Sequence, residues 1–212
     1  MKLNKKDLLL YAVTDRHWVG KQTLFEQVEE AIQNGATLIQ LREKHLDEAN
    51  FLKEAIAMRE LCHRYGVPFI VNDNVEVALR SHADGVHVGQ DDMAARDVRR
   101  LIGDEMILGV SAHNVQEAKA AQDNGADYLG VGAIFTTATK KDATAVSLSA
   151  LKEIVANVDI PVVAIGGINE NNILQLKNTR VAGVSIISAI FGAEDIGSAS
   201  KNLLKLAKEV VK

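Results

Sequence analysis

Short apolar runs alternate with longer amphipathic segments along the whole chain, and this alternation repeats eight times. Eight units in 212 residues give about 26 residues each, enough for one strand, one helix and two short loops. The predicted strands are Leu8–Thr14, Thr37–Arg42, Pro68–Asn72, Gly85–Gly89, Met106–Ser111, Tyr128–Ile134, Pro161–Gly166 and Gly183–Ser188. The predicted helices begin near Leu24, Asp47, Val75, Ala94, Val115, Leu148, Asn169 and Asp195, several behind a capping residue such as Asn114, Ser147 or Asn169.

The strands are predicted to be parallel and covered on both faces. Runs such as Phe69-Ile70-Val71 are apolar at consecutive positions, which is typical of strands between two layers. Eight such units favour a closed barrel, so we predict an α/β protein with residues 1–212 forming a single (β/α)8 TIM barrel catalytic domain. An open doubly wound sheet is the alternative, but the first strand runs into Thr14-Asp15-Arg16-His17 without a glycine fingerprint.

Composition and charge indicate which kinds of molecule the protein binds. The chain has 24 Lys and Arg against 28 Asp and Glu, a net charge of −4 that argues against nucleic acid. Leu8–Val13, the longest apolar run near the start, is too short for a signal peptide or a membrane span. The single cysteine, Cys62, falls in an amphipathic segment and is predicted to pack. We expect a cytoplasmic protein, a monomer or small homo-oligomer, that acts on small molecules and binds no membrane.

Polar residues gather where the predicted strands end, which is where (β/α)8 barrels carry their chemistry. They are Gln40 to Lys44, Asn72-Asp73, Gly89 to Asp92, Ser111 and His113, the loop Thr136 to Asp142, Gly166-Gly167 and Ser188. Helix capping accounts for some of these residues. Capping does not account for Arg42, Lys44 and Lys140 together with the acidic pairs.

Two carboxylates follow adjacent strands, and their side chains can meet at one point of the rim. Asp73 and Asp92 are hard oxygen ligands that suit Mg²⁺ shared with a substrate phosphate. The alternative is that each residue caps the helix that follows it, beginning at Val75 and near Ala94. The sequence leaves both interpretations open.

The cations and glycines at the rim indicate an anionic substrate. Arg42 is suited to bidentate phosphate binding, and Lys44 and Lys140 add point charges. Gly166-Gly167 and Ser188 follow the two strands where such barrels often hold a phosphate, although a tight turn also uses glycine. We therefore expect two phosphorylated groups in one site.

Two further features bear on the site. The Thr136 to Ala145 stretch is predicted to be a mobile lid, with a solvated loop as the alternative. The six histidines show no metal-ligand spacing; we expect His87 to be a hydrogen-bonded core residue and His113 to lie at the rim.

At these positions the chain resembles the thiamine-phosphate synthase family. The resemblance rests on segments that run in order through most of the chain: Tyr11 to Arg16, Gln40 to Lys44, Asn72-Asp73, Ala83 to Gln90, Gly109 to Ser111, Gly125 to Tyr128, Thr137 to Lys140, Ala164 to Ile168 and Gly183 to Ala189. The Gln-Leu-Arg-Glu-Lys and Thr-x-Thr-Lys segments together are the specific ones.

The resemblance implies a transferase that joins 4-amino-2-methyl-5-hydroxymethylpyrimidine diphosphate to 4-methyl-5-(2-phosphoethyl)thiazole, giving thiamine phosphate and pyrophosphate. It implies that the pyrimidine diphosphate binds Gln40, Leu41, Arg42, Glu43, Lys44, Asn72, Ser111 and Lys140. It implies that Mg²⁺ binds Asp73 and Asp92, and that the thiazole phosphate binds Thr137, Ala138, Thr139, Gly167, Ile187 and Ser188. Arg42, Ser111 and Lys140 would be the catalytic groups, because negative charge grows on the departing pyrophosphate.

The chain also departs from the family pattern. Ala133 and Thr136 stand where the family usually has proline, so we expect a less rigid loop after the sixth strand. Two alternative functions stay open on this scaffold. One is a TenI-type thiazole tautomerase, which needs a base rather than a metal, and the other is a non-catalytic thiamine-phosphate binding protein.

Overall fold

Eight parallel strands close into one barrel in the computed structural model, which describes residues 3–137 and 145–212. Each strand pairs with its neighbours in the chain, and the first pairs with the last. The strands are β1 (Leu10–Val13), β2 (Leu38–Leu41), β3 (Phe69–Asn72), β4 (Gly85–Val88), β5 (Ile107–Ala112), β6 (Tyr128–Val131), β7 (Val162–Ile165) and β8 (Gly183–Ile186). The predicted (β/α)8 barrel is confirmed.

Helices cover the outside of the barrel and follow every strand except β7. They are α1 (Leu24–Gln33), α2 (Glu48–Arg64), α3 (Val75–Arg80), α4 (Ala95–Ile102), α5 (Val115–Asp123), α6 (Leu148–Ala156), α7 (Ser188–Phe191) and α8 (Ile196–Val210). Short 3₁₀ helices span Lys5–Leu8, Arg16–Trp18 and Ile173–Leu176. Asn114 and Ser147 cap α5 and α6 as predicted, each accepting a backbone N–H from the first helical turn. None of the helices in the described ranges is long and apolar enough to cross a membrane.

The helix predicted to begin at Asn169 is wrong. The connection from β7 to β8 holds only the 3₁₀ helix Ile173–Leu176. The Asn169 side chain accepts the N–H of Asn171 and donates to the carbonyl of Gly167, and Asn172 donates to that same carbonyl. These local side-chain bonds compete with the backbone bonds of an α-helix, so the asparagines turn the chain.

The core has two layers, one between strands and helices and one inside the barrel. Alternate strand residues such as Leu129 and Val131 on β6 are fully buried against the helices. The barrel interior is filled by Leu38, Ile70, Ile107 and Val163, together with the tyrosine rings described below. Burying one such aliphatic side chain contributes about 1.5–3 kcal/mol. Among the described residues these side chains fill the middle of the barrel, and the two cavities described below lie at its opposite ends.

Candidate active site

A cavity of about 370 Å³ opens at the C-terminal ends of the strands. Residues from all eight strands or their following loops line it, including Val13, Arg42, Asn72, Asp92, Ser111, Thr137, Gly167 and Ser188. A larger cavity of about 510 Å³ lies at the opposite end of the barrel, beside Met106, Pro161 and Arg180. Most of the polar residues selected from the sequence line the first cavity, at the end where barrels of this type carry their active sites.

Alternate residues at the end of β2 face this cavity. Gln40, Arg42 and Lys44 line it. Leu41 is fully buried outside the barrel wall, and the Glu43 side chain is only 2% exposed and points toward Arg16. The two-residue period of an extended chain explains this division. The structure therefore brings three of the five segment residues to the cavity, but not the side chains of Leu41 and Glu43.

The segment after β1 holds the end of β2 through three contacts. Thr14 Oγ1 accepts the Arg42 N–H at 3.0 Å, and Asp15 lies 3.5 Å from the Arg42 guanidinium. Arg16 donates to both Glu43 oxygens at 2.8 and 3.1 Å. Burial raises the pKa of Glu43, and the Arg16 guanidinium opposes that effect. Residues 14–16 thus fix the backbone that carries two cavity-facing cations.

The Asp73 carboxylate is held at the rim by its own backbone and by two neighbours. Asp73 has φ of 61°, and its N–H donates to the carbonyl of His87 at 2.8 Å. Asn72 donates to Asp73 Oδ1 at 2.8 Å, and Lys44 Nζ lies 2.5 Å from Oδ2. The ammonium group shows that this carboxylate faces a position suited to a cation.

Asp92 completes an acidic pair with Asp73. Its Oδ2 accepts the Gly89 N–H at 2.7 Å. Burial raises the pKa of Asp92, the Gly89 N–H lowers it, and the neighbouring Asp73 carboxylate raises it. Two carboxylates that repel each other in this way are suited to share a divalent cation.

The capping interpretation of these aspartates is wrong. Asn74 caps α3 by accepting the N–H of Val77, and the residue before α4 is Ala94. Across residues 3–137 and 145–212, no group of three or more His, Cys, Asp or Glu is placed to hold a metal ion. Two carboxylates are nevertheless a donor set that suits Mg²⁺, which keeps several waters and shares substrate phosphate oxygens.

A chain of hydrogen bonds crosses the barrel beneath the cavity. The Gln40 amide nitrogen donates to the Tyr11 hydroxyl, which lies 2.8 Å from the Tyr128 hydroxyl. The Tyr128 hydroxyl lies 2.9 Å from His87 Nδ1, and His87 Nε2 lies 3.0 Å from Ser111 Oγ. Five strands contribute one residue each, so the chain joins the predicted pyrimidine-binding residues Gln40 and Ser111.

Small residues make room for this chain. A Cβ at Gly109 would overlap the Tyr128 hydroxyl and His87 Nδ1, and one at Gly130 would lie 3.1 Å from His87 Cε1. Burial lowers the pKa of His87 to about 4, so the imidazole is neutral near pH 7. Burial also raises the pKa of Tyr11 and of Tyr128 well above the usual range. The prediction that His87 is a hydrogen-bonded core residue is confirmed.

The ends of β6, β7 and β8 form the opposite wall of the cavity. Gly166 and Gly167 have positive φ of 96° and 65°, a conformation that favours glycine, and both line the cavity with Ile187 and Ser188. Thr137 also lines the cavity. Ala138, Thr139 and Lys140 lie outside the described residues, as does most of the predicted lid.

Tyr11 and Ser185, which line the cavity, and Tyr128, which lies beneath it, were not singled out from the sequence. Tyr11 and Tyr128 were missed, although a polar atom in a buried strand is a signal that it has a partner. Ser185 lines the cavity with a buried hydroxyl that has no hydrogen-bond partner among the described residues. His113 lines the cavity as expected, and its Nδ1 lies 2.9 Å from Glu117.

Fold and site together define a (β/α)8-barrel enzyme. Its cavity at the C-terminal ends of the strands is lined by cations and a carboxylate pair, above a buried series of hydrogen-bonded side chains. A family model described as thiamine monophosphate synthase matches residues 10–190. Thiamine-phosphate synthase of Ruminiclostridium cellulolyticum is 50% identical over 203 residues, which cover 96% of this chain and 97% of that protein. Thiamine-phosphate synthase of Clostridioides difficile is 53% identical over 192 residues, 91% of each chain.

A solved structure agrees with these relatives. Thiamine phosphate pyrophosphorylase from Pyrococcus furiosus superposes with a TM-score of 0.90 at 40% identity, covering 98% of this chain and 99% of that one. The chain belongs to the thiamine monophosphate synthase family. The resemblance found in the sequence is confirmed.

Proposed function

We propose that this enzyme joins 4-amino-2-methyl-5-hydroxymethylpyrimidine diphosphate to 4-methyl-5-(2-phosphoethyl)thiazole, releasing thiamine phosphate and pyrophosphate. One observation carries the proposal: two cavity-facing cations, Arg42 and Lys44, lie beside the carboxylate pair Asp73 and Asp92 at one rim. A diphosphate with a divalent cation matches that arrangement in charge and in ligand type.

The first step is loss of pyrophosphate from the carbon attached to the pyrimidine ring. The C–O bond breaks, its electron pair leaves with the pyrophosphate, and the electron-rich aminopyrimidine stabilises the carbocation. Arg42, Lys140 and the Ser111 hydroxyl interact more strongly with the departing oxygens as negative charge grows on them. Gln40, Lys44 and Asn72 are the other residues of the predicted pyrimidine-diphosphate site that line the cavity.

Asp73 and Asp92 would hold the Mg²⁺. When bound, Mg²⁺ supplies Lewis-acid stabilisation of the leaving pyrophosphate. Lys44 lies against Asp73 in the described structure, so it is within reach of a phosphate oxygen bound at the same place. Asn72 keeps the Asp73 carboxylate in a fixed orientation through its amide.

The second step is attack by the thiazole nitrogen, whose lone pair forms the new C–N bond. Thr137, Ala138, Thr139, Gly167, Ile187 and Ser188 would bind the thiazole phosphate and hold its ring in line with the carbocation. Water would trap the carbocation, so the protein's task is also to exclude it. No covalent enzyme intermediate and no obligatory general base are required.

The substrates are small molecules, and we expect the enzyme to act in the cytoplasm as a monomer or small homo-oligomer. Cys62 is buried, and burial raises the pKa of its thiol, which agrees with a packing role.

A coupling assay tests the proposal. Purified enzyme is given both substrates and Mg²⁺, thiamine phosphate is measured as fluorescent thiochrome after oxidation, and pyrophosphate is measured in parallel. We expect equal amounts of the two products, none with either substrate omitted and none with excess EDTA. Metal-independent conversion of a thiazole substrate alone would indicate the tautomerase. Tight binding of thiamine phosphate without turnover would indicate the binding protein.

A further inference from the structure

The hydrogen bonds beneath the cavity all run in one donor-to-acceptor direction, and Gln40 determines that direction. The amide nitrogen of Gln40 can only donate, so the Tyr11 oxygen accepts from it. The Tyr11 hydrogen is then left for its other partner among the described residues, the Tyr128 oxygen. With the opposite direction, the Tyr11 hydrogen would be buried without an acceptor.

This direction selects one tautomer of His87. The Tyr128 hydrogen points to the nitrogen that lies 2.9 Å away, so His87 Nδ1 accepts. A ring nitrogen that accepts a hydrogen bond carries no proton, so the ring proton of His87 is on Nε2. His87 Nε2 therefore donates a hydrogen bond to Ser111 Oγ, 3.0 Å away.

The last link reaches the cavity. Ser111 Oγ already accepts from His87, so its own hydrogen is available to a different acceptor. Ser111 lines the cavity beside Gln90, whose amide nitrogen donates to the Ser111 carbonyl at 2.6 Å. That carbonyl bond fixes the backbone at the point where the hydroxyl projects.

We propose that Tyr11, Tyr128 and His87 are positioning residues, which turn the Ser111 hydroxyl into a fixed donor for the pyrophosphate that departs from the pyrimidine. The hydrogen-bonded series is preorganised because all of its members are partnered before substrate binds and all except the half-buried Ser111 are buried. The role of Ser111 rests on the proposed function, but the direction of the hydrogen bonds from Gln40 to Ser111 does not.

The direction is tested by NMR without any turnover. Protein labelled with ¹⁵N-histidine is recorded near pH 7, and the His87 signals are assigned by their loss in His87→Gln. We expect the Nε2–H tautomer in the unmodified enzyme and a population shift toward Nδ1–H in Tyr128→Phe, which removes the donor to Nδ1. An Nδ1–H tautomer in the unmodified enzyme would overturn the proposed direction, whatever reaction the enzyme performs.

The link to catalysis is tested by a double-mutant cycle between Tyr128 and Ser111. Tyr128→Phe should lower kcat about 10-fold with both KM values within about twofold, since part of one preorganised donor is lost. In a Ser111→Ala background the same change should alter kcat by less than about twofold. Independent, multiplicative effects of the two substitutions would show that Tyr128 does not act through Ser111.

A second variant and a matched control keep the test decisive. Tyr11→Phe breaks the chain one link earlier and should lower kcat in the same direction, with the same loss of effect when Ser111 is alanine. Tyr65→Phe removes a hydroxyl that bonds Glu29 on the exposed outer surface, and it should leave kcat unchanged. Unchanged kcat in both Tyr11→Phe and Tyr128→Phe would overturn the proposal.

Discussion

Arg16 and Glu43 form a two-pronged ion pair, with the Arg16 Nε and Nη2 atoms 3.1 and 2.8 Å from the two carboxylate oxygens. Glu43 is buried, and Arg16 also contacts Glu54 at 2.6 Å. Glu43 stands between Arg42 and Lys44, the two residues of its segment that the structure brings to the rim as cations. The pair therefore fixes the spacing of the two charges that we propose bind the diphosphate, without itself lining the cavity.

Replacing Arg16 by methionine should weaken binding of the pyrimidine diphosphate. Glu43 would be left buried opposite Glu54, and the backbone of Arg42 and Lys44 would shift away from the repulsion. We expect the KM for the pyrimidine diphosphate to rise about 10-fold, corresponding to about 1.4 kcal/mol, with the KM for the thiazole phosphate unchanged. Steady-state kinetics with each substrate varied in turn measure this difference.

Arg80→Met is the matched control for that experiment. Arg80 also bridges two glutamates, Glu48 and Glu76, but on the outer helices away from the cavity. Both KM values should stay as they are in the unmodified enzyme. Equal effects of the Arg16 and Arg80 substitutions would show that Arg16 has no specific positioning role.

His87 should make the fold sensitive to acid. Its pKa is about 4 in the folded protein and near 6.5 when unfolded, so between these pH values the unfolded state binds more protons. The stability contributed by neutral His87 is complete above pH 6.5 and is lost as the pH falls toward 4. Between pH 7 and pH 5 this loss amounts to about 2 kcal/mol.

Urea unfolding at pH 7 and pH 5 measures this effect, with His87→Gln as the comparison. Glutamine does not titrate, so the stability of that variant should fall by about 2 kcal/mol less between the two pH values, whatever its stability at pH 7. The same pH dependence in both proteins would mean that His87 is not neutral and buried in the fold.

Ser185→Ala should leave the enzyme as stable as before or slightly more stable. The Ser185 hydroxyl is buried without a partner among the described residues, so alanine removes an unsatisfied group rather than a hydrogen bond. Ser200→Ala is a matched change, because Ser200 has the same property on α8. Thermal unfolding of both variants checks this, and a loss of more than about 1 kcal/mol at either site would reveal a missing hydrogen bond.

The fold could be predicted because short stretches of sequence are enough to distinguish the strands from the helices. Runs such as Phe69-Ile70-Val71 indicate buried parallel strands, and the eight strands close into a barrel as expected. The prediction failed at Asn169, where local side-chain bonds decided the conformation and apolar spacing did not.

The residues at the rim of the site could also be predicted from the sequence, but the contact between the two tyrosines beneath it could not. Asp73 and Asp92 follow strands, and the topology alone brings them together. Tyr11 and Tyr128 are 117 positions apart and meet only after the barrel closes, so no local pattern reports their contact. The direction of the Glu43 side chain likewise depends on Arg16, which lies in the segment after β1.

In the proposed reaction, Asp73 and Asp92 hold the Mg²⁺ that assists pyrophosphate departure. The most direct measurement is thiamine phosphate formation against Mg²⁺ concentration in the unmodified enzyme, in Asp92→Asn and in Asp97→Asn. Asparagine can still accept the Gly89 N–H, so the fold should be kept while the charge is lost. Asp97 is an exposed residue on α4 and serves as the control.

We expect Asp92→Asn to lower the Mg²⁺-dependent rate by about 100-fold or more, with an unfolding temperature close to that of the unmodified enzyme and with Asp97→Asn unchanged. Near-normal Mg²⁺-dependent coupling in Asp92→Asn would contradict the metal site and, with it, the proposed use of this rim.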